Sequence, residues 1–273
     1  MKTTFKTSII ALTILFGLSL NAQNLKLEEH WAQPNGLVSA IAKDTVNNII
    51  YLGGNFTAIE PTVPYGTQIN ATTGIPNFGF DNPNGNVEAS IPDGNGGWYI
   101  GGSFTMVGDS SRNRIAHLDS TGSVTALFNK TGFDGTVNAL ELNNGIVYAG
   151  GNFKITGEFT QYGAQLNTTN GMPNFSFEAP NGRVNVSIPD GNGGWYVGGL
   201  FTMVGDSSRN RIAHIDSTGK VSAWNPNASA NVLSLAISGN TVYAGGEFSS
   251  IGGQSRNRIA ALDATTGNAT NWN

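Results

Sequence analysis

A Gly-Gly pair recurs five times along this chain, at Gly53-Gly54, Gly101-Gly102, Gly150-Gly151, Gly198-Gly199 and Gly245-Gly246, with spacings of 48, 49, 48 and 47 residues. Each pair is followed two residues on by phenylalanine: Phe56, Phe104, Phe153, Phe201 and Phe248. A fixed period of this length marks a repeat architecture, in which every unit is one supersecondary element. Two kinds of unit alternate. The first and third share PYGTQINATTGIPNFGF and QYGAQLNTTNGMPNFSF, the second and fourth SSRNRIAHLDSTG and SSRNRIAHIDSTG, and the fifth, SRNRIAALDATTG, follows the second kind. The 33 residues from Ser90 to Gly122 therefore return 97 residues later, from Ser187 to Gly219, differing only at Ile100/Val197, Ser103/Leu200 and Leu118/Ile215. An active site gains nothing from a near-copy of itself, whereas a building block is multiplied in this way.

Inside a unit the hydrophobic period is two, the signature of strands. The third unit reads VNALEL, a turn at Asn143-Asn144-Gly145, then IVYAGGNF, YGAQLNTTNG and MPNFSFE, which makes four short strands joined by Gly- and Asn-bearing turns. In IVYAGGNF, Val147, Ala149, Gly151 and Phe153 share one face and Tyr148, Gly150 and Asn152 the other. Glycine weakens a strand unless something must approach closely. Five doublets at one phase predict such an approach in every unit, with sheets pressing backbone to backbone. Only 12% of residues are charged and 37 are glycine, which suits many tight turns. The predicted fold is all-β, a β-propeller of four-stranded antiparallel blades covering approximately 36–82, 83–133, 134–180, 181–228 and 229–273. Solenoids with shorter periods and helical repeats are excluded by the unit length and the period of two. Independent domains of ~48 residues are excluded because no cysteine is present to staple them.

The stretch VYAGGEFSSIGGQSRNRIAALDATTG from Val242 to Gly267, preceded by WNPNASANVLSLAISGNTVYAGG, resembles the secreted bacterial β-propeller repeats of the delta-60 type. The SIPDGNGGWYIGG variant resembles the form found in exported proteins of Bacteroidota. The resemblance implies secretion and a propeller, and little about activity. At the ends, His30-Trp31-Ala32-Gln33-Pro34-Asn35-Gly36 matches the outer strand Trp224-Asn225-Pro226-Asn227, and Asn271-Trp272-Asn273 repeats it once more. The surplus outer strand favours a fragment of a longer chain with more blades; a closed five-blade ring is the alternative.

Lys2 and Lys6 precede a 12-residue apolar run, Ile9 to Leu20, ending near Ala22. That is the pattern of a secretory signal peptide over residues 1–22, too short for a bilayer, which takes ~20 apolar residues. The mature chain keeps 12 basic and 18 acidic side chains. Such a surface does not seek nucleic acid, and no membrane insertion is expected after cleavage.

Five sets of residues are candidates for chemistry. The DGNGG loops place Asp93 and Asn95, and again Asp190 and Asn192, in a D-x-N-x-G order that partly resembles a calcium loop. The competing reading is a turn in which Asp and Asn bond their own backbone. No cofactor is otherwise expected. The pairs Arg112/Arg114, Arg209/Arg211 and Arg256/Arg258 suit an anion or uronic-acid site, or else an internal network to Asp119, Asp216, Asp263 or to carbonyls. Glu60, Asp134, Glu141, Glu158 and Glu247 fall outside the repeat and could supply a glycosidase pair. Tyr65, Tyr162 and Phe133 are candidate sugar platforms, while Trp98, Trp195, Trp224 and Trp272 read as packing. Histidine occurs only at His30, His117 and His214, and no nucleophile motif is present. The reading that follows is a secreted, non-enzymatic scaffold that binds a glycan or protein partner. The alternative is an extracellular hydrolase or lyase on the same scaffold.

Overall fold

The computed structural model describes residues 33–59, 63–127, 132–154 and 161–272; the segment 1–22, expected as a leader, and the match at His30-Trp31 lie outside them. The described residues contain strands, turns and bends and no helix. Blade 1 holds β1 (Leu37–Asp44), β2 (Ile49–Asn55) and β3 (Gly66–Asn70). Blade 2 holds β4 (Val87–Pro92), β5 (Trp98–Gly102), a small hairpin of β6 (Met106–Val107) and β7 (Ser110–Ser111), and β8 (Ile115–Leu118). Blade 3 holds β9 (Thr136–Asn143), β10 (Ile146–Lys154) and β11 (Gln161–Asn167). Blade 4 repeats blade 2 with β12 (Val184–Pro189), β13 (Trp195–Gly199), β14 (Met203–Val204), β15 (Ser207–Ser208) and β16 (Ile212–Ile215). Blade 5 holds β17 (Val232–Ser238), β18 (Thr241–Gly246), β19 (Ser250–Ile251), β20 (Gln254–Ser255) and β21 (Ile259–Asp263). All pairings are antiparallel, in the order inner, middle, third.

The outer, fourth position of each blade is a single bridge rather than a ladder: Ile69 with Pro76, Leu118 with Val124, Leu166 with Pro173, Ile215 with Val221 and Leu262 with Ala269. Turn chemistry shortens it. Pro173 has no N–H to donate, and the Asn174 side chain accepts the Ser176 N–H at 3.0 Å, curling the chain away after one step.

Every inner strand carries a bulge one residue after its valine, at Ser39, Glu88, Asn138, Asn185 and Leu233. The bulge explains the doublets, and not quite as the sequence predicts. A Cβ on the first glycine would meet the valine of the following blade: Gly53 meets Val87 Cγ1 at 2.7 Å, Gly101 Val137 at 2.5 Å, Gly150 Val184 at 2.6 Å and Gly198 Val232 at 2.6 Å. A Cβ on the second would strike its own blade's inner strand, where the carbonyl oxygens of Leu37, Asn86, Thr136, Arg183 and Asn231 lie 2.0–2.2 Å away. One glycine admits a side chain across the joint, and the other admits the bulged backbone.

Val147 and Ala149 pack toward blade 2, in a cluster with Tyr99, Ile115, Val137 and Leu140. Tyr148 packs the other way, with Val184, Trp195 and Val197 of blade 4. The two kinds of unit thus build two kinds of joint. Tyr51 meets Trp98 (5.6 Å between ring centres) and Tyr148 meets Trp195 (5.4 Å) where a first-kind unit leads. Tyr99 and Tyr196 instead lie on His117 and His214 within their own blades. Amides stitch two joints: Asn138 Nδ2 donates to the Val184 carbonyl (3.1 Å) and Asn185 Nδ2 to that of Val232 (3.0 Å).

Candidate functional site

The DGNGG loops close upon themselves. Asp93 Oδ1 accepts the N–H groups of Asn95 (2.7 Å) and Gly97 (2.9 Å), and Asp190 Oδ1 those of Asn192 (2.7 Å) and Gly194 (2.8 Å). The second oxygen of each lies 2.9 and 2.8 Å from Nε2 of His117 and His214. Gly94, Gly96, Gly191 and Gly193 take positive φ, completing the turn. Burial alone would raise the Asp190 carboxyl, but the Asn192 and Gly194 N–H bonds and the His214 contact hold it below the usual range. Both oxygens of each aspartate are thus engaged inside the fold, one by N–H groups of its own turn and one by an imidazole.

Those contacts extend into a series that the sequence reading missed. His117 Nδ1 lies 3.1 Å from Thr125 Oγ1 and His214 Nδ1 3.0 Å from Ser222 Oγ. Carboxylate, imidazole and hydroxyl in that order resemble a nucleophile relay. Here the hydroxyls also accept N–H bonds, Thr125 from Leu127 (3.3 Å) and Ser222 from Trp224 (3.2 Å), and tyrosine rings cover the imidazoles. The relay occurs in duplicate and ties each hairpin to its outer strand; it is a strut. Its sequence signal is the shared IAHLD/IAHID histidine, two residues before aspartate.

The first arginine of each R-x-R pair forks between carbonyls of its own blade. Arg112 donates to Ser111 and Thr125, Arg209 to Ser208 (2.8 Å) and Ser222 (2.6 Å), and Arg256 to Ser255 (2.9 Å) and Thr270 (2.7 Å). Asp119, Asp216 and Asp263 instead close turns onto Thr121, Thr218 and Thr266. The second arginine has a backbone role: Arg114, Arg211 and Arg258 take φ of 70°, 64° and 70°, as do Tyr65 and Tyr162 at 63° and 65°. At this left-handed step the N–H bonds the preceding Phe carbonyl and the carbonyl accepts the second glycine of the doublet, as Arg211 does with Phe201 and Gly199. No glycine marks the position, so the pattern offered no warning.

Phe133 is no platform, being 2% exposed and packed at a tilt against Phe153, with ring centres 4.1 Å apart. Among the carboxylates, Glu60 and Glu158 lie outside the described residues. Asp134 accepts the Lys154 N–H at 2.6 Å, beyond the far end of β9 from Glu141, and Glu247 follows β18 two blades on. The structure does not bring these three together.

What it does open is a cleft of about 610 Å³ between blades 4 and 5, lined by Asn225, Pro226, Gln254, Ser255 and Asn268 among others. Its origin lies in a change within the repeat. Asp81 and Glu178 reach forward to accept the N–H of Val124 (2.7 Å) and Val221 (2.8 Å) in the next blade, filling the space beside Gly108 and Gly205. The carbonyls that follow them, of Asn82 and Ala179, accept Gly108 and Gly205; the corresponding acceptor for Gly252 is Pro226 (2.7 Å), so Asn225 occupies the strut position. Ala269 N–H then turns to the Gly252 carbonyl. The side chains of Asn225, Gln254 and Asn268 are exposed and make no side-chain hydrogen bond among the described residues. Elsewhere such amides are engaged, as Asn77 is with Gln68 and Asn174 with Gln165.

The model of a family described as "Domain of unknown function (DUF5122) beta-propeller" matches residues 94–126 and 240–265. No curated protein matches the chain. Among solved structures, the WD40 β-propeller domain of Doa1 is similar with a TM-score of 0.58 at 12% identity, over 88% of this chain and 69% of that one. The computationally designed Ika8 protein is similar with a TM-score of 0.56 at 16% identity, over 85% of this chain and 60% of that one. The chain therefore spans less than two thirds of the designed protein's length. At such identities the likeness concerns fold alone. With five packed blades it makes the chain a β-propeller repeat protein.

Proposed function

We propose that this β-propeller is a secreted, non-enzymatic binding scaffold, and that its ligand is a neutral glycan held in the cleft between blades 4 and 5. The observation that carries the reading is the set of unengaged amides, Asn225, Gln254 and Asn268, around a cleft whose lining carries no carboxylate. Each amide offers two donors and an acceptor, the complement of a sugar's vicinal hydroxyls. The expected leader peptide supports delivery outside the cell. The recurring Asp, His and Arg sets are occupied in tying strands together within each blade, which supports a binding role over a catalytic one.

A glycan array followed by calorimetric titration tests the proposal. A neutral oligosaccharide is expected to bind, and Gln254→Ala with Asn268→Ala to weaken it by about tenfold or more, the loss of one to two hydrogen bonds, without moving the melting temperature. Binding unchanged by the pair, or conversion of any bound glycan to product, would refute it.

A further inference from the structure

Seven asparagines in this chain stand directly before a glycine: Asn35, Asn84, Asn95, Asn144, Asn170, Asn181 and Asn192. Such a pair carries a latent reaction, because glycine has no Cβ to keep its own backbone nitrogen away from the preceding side chain. All seven asparagines are exposed, so access to water does not separate them. Hydrogen bonding does.

Asn35, Asn84 and Asn181 have both ends of the amide occupied. Asn84 Oδ1 accepts the N–H groups of Thr105 (2.8 Å) and Met106 (3.0 Å), and its Nδ2 donates to Thr105 Oγ1 (3.0 Å). Asn35 repeats these bonds with Thr57 and Ala58, and Asn181 with Thr202 and Met203. Asn170 Oδ1 accepts the Met172 N–H (3.0 Å), and the Gly171 N–H donates to the Asn167 carbonyl (2.8 Å), so both reacting groups are tied. Asn95, Asn144 and Asn192 differ on both counts. Among the described residues their side chains make no hydrogen bond, and the N–H groups of Gly96, Gly145 and Gly193 donate to no acceptor.

These three share a place in the fold, the turn that joins inner to middle strand in blades 2, 3 and 4. Asn144 and Gly145 form the turn between β9 and β10, both left-handed, at φ of 47° and 76°, and both exposed. Gly96 and Gly193 are buried instead, beside Ser120 and Ser217.

We propose that Asn144 is a site of spontaneous deamidation, with Asn95 and Asn192 following more slowly. The Gly145 nitrogen gives up its proton and bonds to Asn144 Cγ, and the side-chain nitrogen leaves as ammonia, which closes a succinimide ring. Water then opens the ring at either carbonyl. One product is aspartate, and the other is isoaspartate, in which the main chain runs through the side-chain methylene. Water is consumed and ammonia released, with no other reagent. Each event adds a negative charge to an end of the blades that already holds Asp44, Asp93, Asp119, Asp190 and Asp216 against Lys43 and Lys220. The charge of that end thus records the age of the protein.

The test is incubation of the full chain in mildly alkaline water enriched in heavy oxygen, followed by digestion in ordinary water and peptide mapping by mass spectrometry. The heavy isotope marks conversions that precede digestion, and a parallel incubation in urea reports the seven pairs without the fold. In urea all seven are expected to convert at similar rates. In the folded chain the attack at Asn35, Asn84 and Asn181 must wait for three hydrogen bonds to open, so Asn144 is expected to convert about tenfold faster or more. Both aspartate and isoaspartate are expected at position 144. Folded-state conversion at Asn35, Asn84 or Asn181 as fast as at Asn144, or an intact Asn144 after the urea sample has reacted, would overturn the inference.

Discussion

Gly150→Ala tests the packing argument most directly, because the same substitution at Gly245 is its internal control. At Gly150 the added Cβ lies 2.6 Å from Val184 Cγ1 and 3.1 Å from Val184 Cβ, both inside a joint whose members are fully buried. Carbon atoms come to rest near ~3.5–4.0 Å, so blades 3 and 4 must part by about 1 Å or Val184 must leave its rotamer. Overpacking of this kind costs about 1–3 kcal/mol, which for a domain of this size lowers the melting temperature by roughly 2–12 °C. At Gly245 the nearest obstacle is Ser234 Oγ, which rotates away, and the next atoms lie at 3.8 and 3.9 Å. Because φ is not positive there, alanine fits and restricts the unfolded chain, so the variant is expected between neutral and about 1 kcal/mol more stable. Adding Val184→Ala should recover part of the Gly150→Ala loss, giving a favourable coupling of about 1 kcal/mol in a double-mutant cycle followed by calorimetry. If Gly150→Ala were silent, or the two glycines equally costly, the first glycine would not be making room for the next blade.

Glu141 stands on β9 where other inner strands carry Ala42, Ile91, Ile188 and Ala236, and burial pushes its carboxyl up to about 8. The folded state then keeps a proton that the unfolded chain releases near ~4.3, so stability is full below that pH and falls as pH rises to about 8. The side chain is only half-buried at its surface, so a decline of about 1–3 kcal/mol across the window is expected, and Glu141→Gln should flatten it in urea titrations at pH 5 and 8.5. His214→Ala deprives Asp190 Oδ2 and Ser222 Oγ of their partner and should cost about 1–3 kcal/mol, with His117→Ala costing a similar amount; a loss at only one of them would contradict the strut reading. Arg209→Lys loses the two-carbonyl fork and should cost about 1–2 kcal/mol in thermal melts, with no dependence on salt because no carboxylate is involved.

The β-propeller, its five units and their alternation were all legible in residue order, because a strand's period of two and a repeat's period are one-dimensional signals. The faces of β10 are a case in point: Val147 and Ala149 separate from Tyr148 as alternation dictates. What the doublets do was only half legible. Glycine announces a close approach, but which atom approaches depends on the bulge at Asn138, and a bulge shifts register without leaving a residue signature. The left-handed Arg114, Arg211 and Arg258 were hidden for a similar reason, since the tertiary hydrogen bonds to Phe and Gly impose a φ that arginine does not itself favour.

The cleft was invisible at that level. Asn225 sits in a polar stretch like many others in this chain, and it acquires meaning only because folding places it where Asp81 and Glu178 act as struts elsewhere. Composition and period determined that this chain folds as repeated blades, since hydrophobic patterning acts locally along a strand. Tertiary structure decided which polar groups are occupied in joining strands and blades and which remain without a side-chain partner, because hydrogen-bond partners are assigned by contacts between residues distant in sequence.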